Sequence, residues 1–583
     1  MKNGRKALAL GLSFLLLSGC GVQPVELPPG EAEVPIAYVP LDDRPDNVER
    51  VAYLAESLGY QLKLPEEDDY RTRLDHQPKN QNGTQSGDRG GLYQWVLAQE
   101  EQGCDRYVLS LDQLLSGGLV HSRAMQERED LRYQEEGETI SLSEDQALET
   151  LLETLAEDPE NEVWLLESVM RLAPTVGYQG GTMEDYEALR SYAALPRPTL
   201  SGEELNQANV EACYRLGQEG TAIPRKDFGL REDQLTGYLA ARSRKLELST
   251  KMLQLVEEMP QVHVLIGIDD SSVAESIQKN EIAYLRSLLR EGDALLSGVD
   301  DLAFKAVAKL YLEESGWEGA KASVRYFGGT EDRPACAYDS QALETIVQEH
   351  LDFFQLKETQ REGADLEILV LTQPAEPQKQ VSYYVNLVQA MEENREQHLP
   401  TILIDAGNGR YGTDFHEELT RETELGWLLS YAGFLDMAIV TGTALSHGVA
   451  RYAFLLQGER TEVTERAFAQ TLADSVLKDF CYKHVVREEL IPYVQELGGD
   501  PNNFYDPEVD RIALASQLEE RMEKSTKKVL RNLEQSDLIV SLAPYEELGW
   551  GEIQLGNYRF PWERIFEIGM DVAVDGFTTP HTS

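Results

Sequence analysis

The chain has 583 residues and a formal net charge of −49, from 102 acidic and 53 basic residues. This length is enough for two to four domains, or for one large barrel with additions. So large a negative charge disfavours nucleic-acid binding through phosphate contacts and electrostatic capture by anionic lipid. We therefore expect no nucleic-acid partner, and we interpret most of the acidic excess as a solvated surface.

The first twenty residues have the features of a bacterial lipoprotein signal peptide, predicted here as residues 1–20. Residues 2–6 are rich in basic side chains, residues 7–17 are apolar, and Leu17-Ser18-Gly19-Cys20 resembles a cleavage site. The apolar stretch is too short to span a bilayer comfortably. Cleavage before Cys20 and lipidation of its thiol would give an extracytoplasmic protein that is lipid-anchored to the cell membrane. An uncleaved anchor is the alternative, and the proline-containing residues 21–33 are predicted to be a linker.

From residue 34 onward, short apolar runs alternate with amphipathic stretches, which predicts an α/β domain over residues 34–444. The predicted strands are Ile36 to Val39, Gln61 to Leu64, Tyr107 to Leu111, Val163 to Leu166, Val262 to Ile268, Ala294 to Leu296, Val324 to Phe327, Glu367 to Leu371 and Thr401 to Ile404. Alternating strands and helices imply a parallel sheet covered on both faces. The number of units favours a (β/α)8 barrel of the TIM type, whereas a break near Gly328-Gly329 would give two doubly wound domains.

The C-terminal part of the chain has a different pattern. Residues 445–534 are predicted to form a helical region, with long amphipathic segments at Thr464 to Phe480 and Ile512 to Glu534. Residues 535–583 are predicted to form a small β element. Apart from Cys20, the four cysteines are widely separated and form no C-x-x-C pair, which predicts no cysteine metal site. Single buried thiols are expected, and disulfides, which the extracytoplasmic compartment permits, are the alternative.

Acidic residues recur where the predicted strands end. They are Asp42 and Asp43, Asp112, Asp269 and Asp270, and Asp300 and Asp301. The carboxyl ends of parallel strands lie along one edge of the sheet, so side chains from distant parts of the sequence converge there. The sequence therefore predicts one acidic, concave site.

Asp269 and Asp270 are the predicted catalytic residues. They follow the apolar run at 262–268, and at a strand end both side chains can reach one pocket. Two carboxylates crowded in a site of low dielectric tend to have different pKa values, which gives one acid and one base. Glycoside hydrolysis requires such a pair. In the alternative, one Asp caps the next helix and the other is solvated.

Further polar residues near the strand ends are predicted to bind substrate. Arg44 either orients a neighbouring carboxylate or contacts an anionic group of the substrate, and a structural turn is the alternative. Gly117 and Gly118 allow unusual backbone angles and the close approach of a ligand. The predicted substrate-binding set is Asp42, Asp43, Arg44, Asp112, Gly117, Gly118, Ser122, Arg123, Arg171, Asp300, Asp301 and Asn408.

Several other chemistries lack their sequence motifs. The nine histidines include no H-E-x-x-H pair, and the chain contains neither a G-x-x-x-x-G-K phosphate loop nor a G-x-S-x-G nucleophile elbow. We therefore predict no cofactor and assign no metal ligand. The carboxylates leave a site for Mg²⁺ or Ca²⁺ as an alternative.

A set of short motifs is spread over nearly all of the mature chain. They are Val39 to Pro45, Ser110 to Asp112 with Gly117 to Val120 and Ser122-Arg123, Met170-Arg171, Asp269-Asp270, and Phe560 to Arg564 with Phe566-Glu567. In these motifs the chain resembles the bacterial domain-of-unknown-function family DUF4127. The family supplies no reaction. Its usual Ala-Gly-Trp-Asn-Thr stretch, with a second Asn shortly after, corresponds here to residues 432–439. Leu435 and Ile439 stand where the amides are expected, which implies altered specificity or lost activity.

Together these features predict a surface-tethered, carbohydrate-active hydrolase that resembles a glycosidase and acts on carbohydrate or cell-wall glycan. Asp269 and Asp270 would supply the acid and the base, and the arginines would position the substrate. A non-catalytic glycan-binding lipoprotein is one alternative. A divalent-metal-dependent hydrolase that uses the same carboxylates is another.

Overall fold

The computed structural model describes residues 23–30, 34–126, 128–135, 137–200, 207–433 and 437–581. The predicted signal peptide with Cys20 lies outside the described residues, as does Leu435. Among the helices within these ranges, none is both long enough and apolar enough to cross a membrane.

The strands are numbered in chain order. They are β1 (Pro24–Val25), β2 (Val34–Val39), β3 (Tyr60–Lys63), β4 (Arg106–Ser110), β5 (Leu131–Glu135), β6 (Glu138–Leu142), β7 (Glu162–Val169), β8 (Val262–Ile268), β9 (Ala294–Ser297), β10 (Ala320–Phe327), β11 (Leu356–Glu358), β12 (Leu366–Leu371), β13 (Thr401–Asp405), β14 (Ser430–Gly433), β15 (Asp537–Leu542), β16 (Tyr545–Arg559) and β17 (Gly569–Thr578).

The helices are numbered in the same way, and several begin with capping boxes at Ser143, Thr182 and Thr461. They are α1 (Glu49–Ser57), α2 (Glu67–Tyr70), α3 (Arg89–Glu101), α4 (Leu111–Leu114), α5 (Leu119–Ser122), α6 (Glu144–Ala156), α7 (Met183–Ala193), α8 (Gln207–Tyr214), α9 (Glu232–Leu255), α10 (Ile277–Arg286), α11 (Leu302–Glu314), α12 (Leu343–Phe353), α13 (Gln380–Glu396), α14 (Asp414–Glu422), α15 (Met437–Gln457), α16 (Glu462–Leu477), α17 (Arg487–Glu496) and α18 (Arg511–Glu534). A π-helical segment, Lys478–Val486, joins α16 to α17.

Two open parallel sheets form the body of the molecule. The first has the strand order β3-β2-β4-β7-β8-β9, and the second has the order β11-β10-β12-β13-β14. In each sheet the strand order reverses once, between β2 and β4 and between β10 and β12. Such switch points, at the carboxyl ends of the strands, are where open α/β sheets bind ligands.

A layer of helices lies between the two sheets and packs against both. Helix α11 contacts α1, α15 and strands of the first sheet, while α15 contacts β9, β13 and β14. One apolar core therefore includes Leu265 and Leu296 of the first sheet together with Ile368 and Ile402 of the second. Separate cores cover the outer face of each sheet. The sheets are buried on both faces, which explains their nearly continuous apolar strands.

The tail strands form an antiparallel sheet with the order β1-β17-β16-β15. The predicted helical region and the predicted β tail are therefore both present, as α15 to α18 and β15 to β17. Pro24 and Val25 of the predicted linker pair with Thr578 and Phe577 of β17. Part of that linker is thus a strand at the edge of the tail sheet.

The prediction of a mixed α/β protein with parallel sheets is confirmed, and all nine predicted strands are present. The favoured TIM-type barrel is not confirmed, because the strands divide between two sheets whose edges, in the described part of the chain, do not pair with each other. The division falls between β9 and β10, before Gly328-Gly329, since β10 already belongs to the second sheet. Within the described residues the cysteines at positions 104, 213, 336 and 481 form no disulfide; Cys104 and Cys481 are buried as predicted, whereas Cys213 and Cys336 are partly exposed.

Candidate functional site

A cleft of about 350 Å³, its open mouth included, lies where the carboxyl ends of the two parallel sheets meet. Asp46 follows β2 and Asp300 follows β9, while Gly433 ends β14 of the second sheet. Asp479, from the π-helical segment, supplies a third carboxylate.

Asp300 is the predicted site residue that lines this cleft, and Arg44 holds it in place. Arg44 Nη1 and Nη2 donate to the two carboxylate oxygens of Asp300 at 3.0 and 2.5 Å. The same guanidinium donates through Nε and Nη2 to Asp42, at 3.0 and 2.7 Å. Asn47 Nδ2 donates a further hydrogen bond to Asp42 Oδ1 at 2.9 Å. Arg44 thus links two carboxylates, and its guanidinium hydrogen bonds are made to protein groups.

Asp43 turns away from these ion pairs toward the C-terminal tail. Its Oδ1 accepts hydrogen bonds from Trp562 Nε1 at 2.8 Å and from the Thr72 backbone N–H at 3.0 Å. Burial raises the pKa of Asp43 to about 7, although both donors oppose the shift. The Trp562 ring also lies under the Arg44 guanidinium, 4.8 Å from ring centroid to Cζ. The tail motif therefore covers the loop that follows β2.

Asp269 and Asp270, the predicted catalytic residues, each form an ion pair with an arginine. Asp269 pairs with Arg123, and Asp270 pairs with Arg171. Burial raises the pKa of Asp269, while Arg123 and Arg171 act in the opposite direction. The arginines predicted to hold substrate are thus engaged by the two aspartates. Neither aspartate is among the residues that line the cleft.

Two more strand-end aspartates are buried with lysines. Lys245 Nζ lies 2.5 Å from Asp112 Oδ1 and also contacts Glu167. Burial, which outweighs the attraction of Lys245, raises the pKa of Glu167 to about 7. Asp301 Oδ2 lies 2.9 Å from Lys305 Nζ, and both of these side chains are fully buried. Asp112 and Asp301 therefore each form a buried ion pair with a lysine near the carboxyl edge of the sheet.

The glycine loop after β4 has the predicted unusual backbone, since φ is +84° at Gly117 and +127° at Gly118. A Cβ added at Gly118 would lie 3.0 Å from Thr72 Oγ1, so the group that approaches this glycine closely is a side chain of the protein. Ser122 Oγ donates to the Leu119 carbonyl at 2.9 Å, within its own helix. Asn408, with φ of +48°, directs its amide toward the Ala335 carbonyl at 3.4 Å. In the described residues these groups serve local structure.

The lining of the cleft also carries a network of charges that the sequence patterns did not indicate. Arg50 Nη1 lies 3.1 Å from Asp46 Oδ1, and Lys483 Nζ lies 2.6 Å from Asp479 Oδ1. Asp479 also accepts the Gly433 backbone N–H at 2.8 Å, which ties the π-helical segment to the end of β14. π-Helical turns occur frequently at functional sites.

Asp46 and Glu567 are neighbouring carboxyl groups with opposite pKa shifts. The Asp46 backbone N–H donates to Glu567 Oε1 at 3.2 Å. Burial, followed by the negative charge of Asp46, raises the pKa of Glu567 to about 8. Burial also disfavours the charged form of Asp46, but Arg50 and Lys478 outweigh it and hold the pKa of Asp46 well below its usual range. At neutral pH one group is thus protonated and the other ionised.

The predicted strand-end aspartates lie along the carboxyl edge of the sheets, where most of them form separate ion pairs. Of the predicted site residues, Asp300 lines the cleft. Sequence reasoning missed four lining residues because they lie on helical segments beyond the strand ends. Asp46 lies in the 3-10 turn Pro45–Asn47, Arg50 lies in α1, and Asp479 and Lys483 lie in the π-helical segment. Glu567 was part of the C-terminal motif, which was its only signal. Ile439, one of the two positions where an amide was expected, lines the cleft.

The chain is therefore a two-sheet α/β protein with a charged cleft at the joint carboxyl edge of its sheets. A family model described as protein of unknown function (DUF4127) matches residues 36–571. The match spans nearly the whole chain, so the protein belongs to this family, and the resemblance predicted from its motifs is confirmed. No curated protein and no solved structure gives a significant match.

Proposed function

We propose that this protein is a carbohydrate-active hydrolase, similar in mechanism to a glycosidase, with its active site in the cleft between the two sheets. The observation that carries the proposal is the convergence of Asp46, Asp300 and Asp479 on one small cleft, from three separate parts of the chain. Carboxylates and an adjoining apolar wall that includes Phe304 suit a ligand with hydroxyl groups and apolar faces.

Acid and base roles follow from the protonation states beside the cleft. Glycoside hydrolysis needs one protonated carboxylic acid and one carboxylate. Glu567, with its pKa raised to about 8, is the candidate acid; it is not among the residues that line the cleft, but the backbone N–H of the lining residue Asp46 donates to it at 3.2 Å. Asp46, held ionised by Arg50 and Lys478, is the candidate base or nucleophile. This assignment differs from the predicted pair, Asp269 and Asp270, neither of which lines the cleft, whereas Asp46 does.

The cellular setting remains part of the proposal. A lipid on Cys20 would hold the protein at the outer face of the cell membrane, where cell-wall and environmental glycans are accessible. The acidic surface, with a net charge of −49, would add little attraction to anionic lipid, so the lipid chain would supply the anchoring.

A non-catalytic glycan-binding lipoprotein is the second candidate, and Ile439 favours it. This residue lines the cleft where the family pattern has an amide. An aliphatic side chain offers no hydrogen bond to a sugar hydroxyl, so this member would have lost a contact that orients substrate.

The test is hydrolysis of a panel of aryl glycosides and peptidoglycan fragments by the purified protein, with and without chelator. The variants are Glu567→Gln and an Asp269→Asn, Asp270→Asn double variant. We expect turnover that Glu567→Gln abolishes. Loss of turnover in the double variant alone would return the catalytic role to Asp269 and Asp270. Saturable glycan binding without turnover on any substrate would support the binding protein and refute the hydrolase.

A further inference from the structure

Three side chains of metal-binding types meet at the carboxyl end of β13, behind the wall of the cleft. Asp405 is the last residue of β13, His416 lies in α14, and His484 lies in the π-helical segment. One ligand atom from each residue lies within 4.8 Å of the others. Gly433 and Lys483, which line the cleft, are respectively the strand partner of Asp405 and the chain neighbour of His484.

The spacing of these atoms is compatible with one tetrahedral metal ion. Zinc bonds to nitrogen and oxygen are about 2.0 to 2.2 Å long, which places two ligand atoms roughly 3.4 Å apart. His416 Nε2 and Asp405 Oδ2 are 3.1 Å apart. A side-chain adjustment of about 1.4 Å or less would bring the third ligand atom to the same spacing.

The surroundings already orient two of the three groups. The Gly407 backbone N–H donates to Asp405 Oδ1 at 3.0 Å, so Oδ2 is the oxygen that faces His416. The Phe480 ring stacks on the His416 imidazole at 4.0 Å between centroids. Contacts of this kind fix ligand orientation in metal sites.

The electrostatics also favour a bound cation. Asp405 is 3 % exposed, and within the described residues no lysine or arginine lies within 4 Å of its carboxylate. His416 is 4 % exposed, and its Nε2 is the ring nitrogen that faces Asp405 Oδ2. Among the residues that the structure describes, the ion-pair partner of Asp405 is His416, 3.1 Å away and cationic only when protonated. A divalent ion would supply the positive charge while both imidazoles stay neutral.

We propose that Asp405, His416 and His484 bind a divalent transition metal ion, with zinc as the best fit to two imidazoles and one carboxylate. Catalytic zinc sites have three protein ligands of this kind and an open fourth position. The ligands are 11 and 68 positions apart, and come from a strand, a helix and a π-helical segment. No local motif spans such spacings, so the sequence patterns indicated no metal ligand.

The experiment is titration of the chelator-treated, untagged full chain with Co²⁺, followed by the visible absorption of the bound ion, and competition with Zn²⁺. We expect about one equivalent with a tetrahedral spectrum, and binding weakened at least about tenfold in His484→Gln. His484 is half-buried, so this variant should keep the fold, which circular dichroism checks. His263→Gln, a histidine paired with Glu162 far from the cluster, is the matched control.

Three results would overturn the proposal. They are the absence of a Co²⁺ spectrum in the wild type, equal affinity in the folded His484→Gln variant, and equal loss in His263→Gln. The readout is metal binding, so it is independent of hydrolysis. An inactive protein that binds the ion through these residues would refute the proposed hydrolase and support the metal site.

Discussion

Arg44 joins the loops after β2 and β9, and its replacement by glutamine provides a quantitative test of the site. Both the Asp42 and the Asp300 carboxylate would lose their cationic partner. Asp42 has no exposed side-chain surface, whereas the Asp300 side chain is 20 % exposed, so water can compensate only Asp300. Removing one partner of a buried ion pair costs about 3 to 5 kcal/mol.

We therefore expect Arg44→Gln to lower the free energy of unfolding by about 3 to 4 kcal/mol, with Asp42 responsible for most of the loss. Adding Asp42→Asn removes the buried charge, and we expect this double variant to recover about 2 kcal/mol. The matched control is Arg231→Gln. The Arg231 side chain is 66 % exposed and pairs with Asp233, whose side chain is 74 % exposed, so no measurable change in stability is expected.

The assay is urea unfolding, followed by tryptophan fluorescence and by circular dichroism. Coincident transitions from the two probes are needed before a free energy is assigned. A loss below about 1 kcal/mol in Arg44→Gln would refute the reasoning, because the Arg44 ion pairs would then be no stronger than a surface ion pair. A double variant no more stable than Arg44→Gln would refute the assignment of the cost to Asp42.

Three further predictions concern residues around the carboxyl edge. Burial raises the pKa of Asp43 from 3.8 to about 7, so between these pH values the folded state holds a proton that the unfolded chain has lost, and stability should fall as the pH rises. In Asp43→Asn the amide oxygen can keep both hydrogen bonds, and the variant should flatten the dependence of the urea midpoint on pH. An unchanged slope would contradict this prediction. Lys245→Met strands two buried carboxylates and should cost about 3 to 5 kcal/mol in the same assay, so a neutral result would show that the charges are not buried together. Gly118→Ala forces an alanine to φ of +127° and should cost about 1 to 3 kcal/mol, whereas a stable variant would exclude this backbone conformation.

The predicted strands were found because each is a short apolar run between polar segments, a signal contained within the strand itself. The short strand β11 and the hairpin of β5 and β6 were not predicted, because β11 has three residues and the hairpin is rich in polar side chains. The division into two sheets depends on pairing between residues far apart in sequence. Local patterns carry no information about which edge a strand joins.

The candidate site shows the same limit. The rule for strand ends placed Asp42, Asp112, Asp269 and Asp300 at the carboxyl edge, because this follows from parallel strands alone. Their partners Arg44, Lys245 and Arg123 decide whether each carboxylate is available to a ligand, and the pairings of Lys245 and Arg123 span more than one hundred residues. Asp46 and Asp479 were missed because they lie on helical segments, beyond the reach of that rule.

The central claim is that the cleft is an active site with Glu567 as its acid. The most direct measurement is kcat/KM of wild type and Glu567→Gln on the best substrate of the glycan panel, as a function of pH. We predict a loss of about 10² to 10⁴-fold in the variant, together with loss of the limb of the wild-type profile that falls near pH 8. Equal rates and equal pH profiles for the two proteins would contradict the account.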